Sequence, residues 1–179
     1  MNKVVLKDGT KAVIREVNLD DAVQLVDIQL SIAEENLYMV SEPDEFHLTA
    51  TEERQRIQMN MENSRDIQLV AEIERNIVGF AVIRNETKKR KAHIGALGIF
   101  IQKEWRGAGV GGALMNAILE LVKNNPLIHK IGLAVFANNE SAIRLYKKLG
   151  FVEEGRRVRE IRFNDEYVDE ILMYKLVST

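Results

Sequence analysis

Apolar residues recur at two different spacings along this chain, and the switches between them lay out its elements. At Ala22, Leu25, Val26, Ile28, Ile32 and Ala33 the spacing is helical, with Asn18-Leu19-Asp20 in front as a capping region and a strand over about Lys11 to Val17 before it. An acidic, irregular stretch runs from Glu34 to His47 around Pro43; Thr49-x-x-Glu52 then has the form of a capping box and starts a second helix that ends near Asn63-Ser64. From Ile67 the period shortens. Ile67, Leu69, Ala71 and Ile73 alternate with Gln68, Val70 and Glu72, Arg75-Asn76 breaks the run, and Ile77 to Ile83 returns, so an antiparallel hairpin is expected. After a polar turn from Arg84 to Lys91, His93 to Ile101 is almost wholly apolar and reads as a largely buried strand, with Gly95 and Gly98 inside it suggesting a bulge or a close neighbour.

The strongest helical stripe is Val110, Ala113, Leu114, Ala117, Ile118, Leu121 and Val122, in a helix from about Gly109 to Asn124 that Asn124-Asn125-Pro126 stops. A strand at Lys130 to Phe136, a helix from about Asn139 to Leu149 closed by Gly150, and strands near Phe151 to Phe163 and Tyr167 to Lys175 complete the pattern. Antiparallel strands combined with a strand-helix-strand crossover give an α+β class with a mixed central sheet. With 11 Gly and only 2 Pro in 179 residues there is little material for a linker, so one domain over 1–179 is expected.

Charge and composition narrow the chemistry. A net charge of −2 gives no general basis for holding nucleic acid. The absence of Cys removes disulfides, thiolate nucleophiles and Cys-bound zinc, and His47, His93 and His129 lack metal-ligand spacing, so no metal is expected. The N-terminal apolar run breaks after Leu6, and no stretch approaches the roughly 20 apolar residues of a membrane span, so a soluble cytoplasmic protein without membrane association is the expectation. Lys88-Lys89-Arg90-Lys91 reads as a solvated hairpin loop, with an anionic partner as the alternative.

The segment Arg106-Gly107-Ala108-Gly109-Val110-Gly111-Gly112 lies between a strand and an amphipathic helix, where free backbone N–H groups and the helix dipole favour a phosphate or pyrophosphate. Glycine lets the backbone approach the anion and supplies positive φ. A tight turn without a ligand is the plain alternative. A P-loop needs Gly-Lys-Ser/Thr where Gly112-Ala113-Leu114 stands, and the acidic residue of a dinucleotide fold is missing from Val135-Phe136-Ala137-Asn138-Asn139.

At these residues the sequence resembles the GCN5-related N-acetyltransferase (GNAT) family. Arg106, Gly109 and Gly111 match its pyrophosphate loop, and Asn139, Ala142, Leu145, Tyr146, Gly150 and Phe151 match a second block of the form Asn-x-x-Ala-x-x-Leu-Tyr-x-x-x-Gly-Phe. The likeness extends over about residues 11 to 176, and Glu153-Glu154-Gly155 with Tyr167-x-Asp169-Glu170 looks like a branch rich in small-molecule and antibiotic acetyltransferases.

The resemblance implies a single domain whose mostly antiparallel sheet carries helices on both faces. It implies direct transfer of the acetyl group of acetyl-CoA to a primary amine of a small molecule or peptide within a ternary complex. The cofactor would lie on Ile99, Phe100 and Ile101, with a bulge at or near Gly98 opening the sheet, and on Arg106, Gly107, Ala108, Gly109, Val110, Gly111, Asn139 and Tyr146. Tyr146 would protonate the departing thiolate, although the helical stripe alone would make it a core residue. Asn139 is equally a helix cap. Where many relatives carry a Glu before the loop, this chain has Gly95-Ala96-Leu97; Glu35 is the candidate base, with a solvated surface role as its alternative. Five carboxylates without a basic residue between Glu34 and Glu45 point to a cationic acceptor. A protein N-terminus, a polyamine, an amino acid and an aminoglycoside all remain open, as do a homodimer, common among relatives, and a catalytically silent acyl-CoA sensor or interaction module. A dehydrogenase is the third possibility.

Overall fold

The computed structural model describes residues 2–163 and 165–177. Its elements are β1 (Asn2–Val5), β2 (Lys11–Glu16), α1 (Ala22–Glu34), α2 (Ala50–Glu62), β3 (Ile67–Ile73), β4 (Asn76–Asn85), β5 (Ile94–Ile101), α3 (Val110–Lys123), β6 (Lys130–Phe136), α4 (Glu140–Lys148), β7 (Val152–Phe163) and β8 (Glu166–Leu176). The strands form one sheet in the order β1-β2-β3-β4-β5-β6-β8-β7. Every described neighbour pair is antiparallel except β5 and β6, which α3 joins as a crossover.

Helix starts follow the local chemistry of the sequence. Asn18 opens a short 3₁₀ turn into α1 with a reciprocal cap to Asp21, and Thr49 and Glu52 form the capping box of α2. Gly150, at φ 84°, closes α4 in the left-handed region.

The alternation expected in β3 is masked, because both faces of the central strands are covered. Leu69, Ala71 and Ile73 pack in a core with Leu114, Met115 and Ile118 of α3, while Val70 packs on the other side with Leu25 and Ile28 of α1 and Ile57 of α2. The Asn2–Val5 stretch is a strand, paired antiparallel with β2. It is short and mostly exposed, so no periodicity marks it. And β5 is only half-buried rather than largely buried. Its pairing to β6 covers only Ile94–Ala96 against Lys130–Gly132, after which β6 continues with β8 alone and the side of β5 that would face it is left open.

Candidate active site

The opening between β5 and β6 does not come from a bulge near Gly98. The β4–β5 register runs without a shift from Gly79 opposite Ile101 to Asn85 opposite Gly95, so the two strands diverge at intact geometry. Which backbone groups face the split follows from the alternation of an extended strand. Gln102 N–H donates to Val78 of β4, so the even-numbered residues turn toward β4; His93 C=O accepts from His129 and Lys130 on the β6 side, so the odd-numbered ones turn the other way. Leu97 N–H still closes the last bond of the β5–β6 ladder, so the split is offered the C=O of Leu97, both backbone groups of Ile99 and the N–H of Ile101. Phe100, expected among the cofactor contacts, faces β4 with its backbone and stacks its ring on Phe80 at 4.6 Å.

Beyond β5 the chain makes a short 3₁₀ turn and reaches the glycine-rich segment. Gly107 (φ 79°) and Gly109 (φ 109°) adopt left-handed conformations, and Gly109 caps α3. The first bond of the helix is Ala113 N–H to Gly109 C=O, and among the described residues the N–H groups of Gly107 through Gly112 have no backbone acceptor. Lys7, just after β1, holds the outer side of the turn: its backbone N–H reaches Ala108 C=O and its ammonium reaches Gly107 C=O, both at 3.0 Å. Those two carbonyls are thereby drawn away and the amides are left to form an anion nest beside the positive end of α3. Lys7 carries no motif and was missed in the sequence. The Gly111 α-carbon faces Ile101 and Leu145, since a Cβ there would stand 3.0 Å and 3.3 Å from their methyl carbons. A side chain there would press on the junction of β5, α3 and α4.

Across the split, Asn139 caps α4 with Oδ1 accepting from Ala142 N–H at 3.2 Å and from the Ser141 hydroxyl at 3.1 Å; among the described residues its amide Nδ2 stays unpaired. Tyr146 is buried against Phe151, with ring centroids 5.9 Å apart. Its hydroxyl has no hydrogen-bond partner among the described residues, and burial pushes its pKa from 10 to about 12.

Glu35 is not a free carboxylate facing the split. Both its oxygens accept from Arg106, at 2.6 Å and 2.7 Å, while Arg106 Nε donates to Ile101 C=O at 3.0 Å. A few residues further on, Tyr38 meets Phe136 at the end of β6 edge-on, with centroids 6.2 Å apart. The segment after α1 thus touches Arg106 through Glu35 and the end of β6 through Tyr38, and it spans the mouth of the split. A surface cavity of about 340 Å³ lined by Glu16, Asn60, Ser64 and Gln68 lies elsewhere, at the far end of α2.

The acetyltransferase (GNAT) family model matches residues 32–151, a range that holds the split, the glycine turn and α4. The L-amino acid N-acetyltransferase of Escherichia coli is 37% identical over 109 residues, covering 61% of this chain and 67% of that one. The spermidine N(1)-acetyltransferase of Vibrio cholerae is 40% identical over 80 residues, covering 45% of this chain and 46% of its own. In structure, a GNAT-family acetyltransferase from Streptococcus pneumoniae superposes with a TM-score of 0.89 at 29% identity, covering 93% of this chain and 99% of that one. A half-open β5, a nest of unpaired amides and two matching sequence blocks thus occur together inside one matched range, and the chain belongs to the GNAT acetyltransferase family.

Proposed function

We propose that this protein transfers the acetyl group of acetyl-CoA to a cationic amine by direct attack in a ternary complex. The observation that carries the reading is the continuity of the free β5 edge with the unpaired amides of Gly107 to Gly112. A pantetheine arm is an extended amide chain and would pair with the Leu97 C=O and with Ile99 as an added strand does, ending where the diphosphate meets the nest. An N–H of that edge polarises the thioester carbonyl and holds the oxyanion once the amine nitrogen has bonded to the carbonyl carbon.

The C–S bond then breaks and charge collects on sulfur. Tyr146 is the group assigned to meet it. With its pKa at about 12 against roughly 8.5 for an ordinary thiol, complete transfer of its proton is uphill, so its contribution is a strong hydrogen bond to the thiolate as charge develops. The ammonium proton leaves through water in the split, because both Glu35 oxygens are engaged by Arg106.

Exposed Glu34, Glu42, Asp44 and Glu45 on the segment at the mouth support a cationic acceptor. Named relatives act on amino acids and on spermidine, which keeps both classes in view. A screen of amino acids, polyamines and peptide N-termini that follows release of the CoA thiol tests the reading. Turnover with a cationic amine is expected; tight CoA binding without release for any amine would leave a sensor on the same fold.

A further inference from the structure

Glu35 stands at the C-terminal end of α1, where Asn36 turns the chain with φ 46°, and its side chain is only 13% exposed. Its partner Arg106 is the first residue of the glycine turn, and the same guanidinium is fixed by Nε to Ile101 C=O on the open side of β5. Two planar groups joined by two parallel bonds transmit orientation, which a single charge contact between flexible side chains does not. On one side of this joint lie amides that await an anion. On the other lies the acidic segment that crosses to Phe136.

We infer that Glu35 is a positioning residue that acts through Arg106, joining the acceptor-side segment to the phosphate turn so that CoA binding orders residues 34–40. The inference rests on the acetyltransferase reading given above. A diphosphate in the nest fixes the Gly107 and Gly109 conformations, and with them the backbone that carries Arg106. The fork carries that restraint to Glu35, the last turn of α1 and the start of the acidic segment. Acceptor binding to a segment already ordered costs less conformational entropy, so the two substrates bind with positive coupling. Glu35 thereby influences the acceptor without removing a proton from it.

Amide hydrogen exchange with CoA itself as the probe, on the full chain, tests this without any acceptor. In the native protein CoA should slow exchange both in 106–113 and in 34–40, the latter by about tenfold, within the range of ordinary coupling effects. In Glu35→Gln the slowing at 106–113 should remain, which also shows that the variant is folded and binds CoA, while the slowing at 34–40 disappears. Arg106→Lys, which keeps the charge and loses the fork, should likewise uncouple 34–40. Slowing at 34–40 that persists in either variant, or that is absent from the native protein while 106–113 responds, overturns the inference alone. A native protein in which CoA slows neither segment overturns the acetyltransferase reading and this inference with it.

Discussion

Tyr146 occupies a position where two demands on one side chain can be separated. Its ring is part of the core beside Phe151, and its hydroxyl is the only part free to act on a ligand. Tyr146→Phe keeps the ring. Loss of a positioned donor to developing charge costs about 100-fold to 1,000-fold in turnover, so kcat should fall by that amount while CoA affinity and Tm change little. Full activity in Tyr146→Phe would remove the residue from the mechanism. The raised pKa adds a pH expectation. Burial favours the neutral phenol in the folded state, so this contribution to stability is complete below pH 10 and is lost as pH rises through about 12. The tyrosinate absorbance that distinguishes the native protein from Tyr146→Phe should therefore emerge only as pH nears 12; emergence close to pH 10 would show a hydroxyl open to water. At this scale the sequence blocks pick out Arg106, Gly109, Asn139 and Tyr146 as candidates, since each belongs to a local spacing. They could not disclose Lys7 or the pairing of Arg106 with Glu35, because those contacts join residues 100 and 71 positions apart, and nothing local encodes them.

The glycine turn shows what a single element needs from its residues, and its glycines answer to different constraints. Gly109 is held at φ 109°, where any β-carbon is strained, but the space around it is open enough that the nearest side-chain atom, Lys7 Cγ, lies 3.6 Å from a built Cβ. Gly109→Ala should therefore distort the nest locally: CoA affinity should fall at least tenfold while stability drops by only about 1–2 kcal/mol. Gly111→Val presses on Ile101 and Leu145 and should cost about 1–3 kcal/mol of stability through overpacking. Calorimetry with CoA and thermal melts on the two variants check this contrast, and a Gly109→Ala variant that keeps its CoA affinity would contradict it. β5 teaches a related lesson about legibility. Its apolar run predicts burial because such strands are ordinarily covered by protein on both faces. Here the β6 edge is open from the Leu97 C=O to Ile101, and in the proposed reading a ligand's amide chain takes the missing place. Hydropathy records that a strand wants cover without recording what supplies it.

Over the whole molecule, the order of helices and strands was legible from periodicity and caps, whereas the order of strands in the sheet was not. The placement of β8 between β6 and β7 depends on tertiary pairing, as does the covering of β3 and β4 on both faces, which buries Gln68 and Val70 along with Leu69 and Ala71. Charge also has to be read at this scale. The net charge of −2 gives little long-range pull, so any attraction of an acceptor must come from a local field. Arg106 neutralises Glu35, which leaves Glu34, Glu42, Asp44 and Glu45 as the exposed carboxylates of residues 34–45. Exposed charges of this kind act over about a Debye length, roughly 10 Å at 0.1 M salt, and lose most of their reach at 0.5 M. For a polycationic amine such as spermidine, kcat/KM should therefore fall by about 3-fold to 10-fold between 0.02 M and 0.5 M NaCl, with kcat nearly constant because the proposed reading puts the chemical step inside the split. Neutralising the segment by Glu42→Gln with Asp44→Asn and Glu45→Gln should flatten that dependence without altering Tm by more than a few degrees, since all three side chains are exposed. A neutral amine measured in parallel controls for general salt effects on the enzyme. Salt dependence that survives in the neutralised variant would place the attracting charge elsewhere on the molecule.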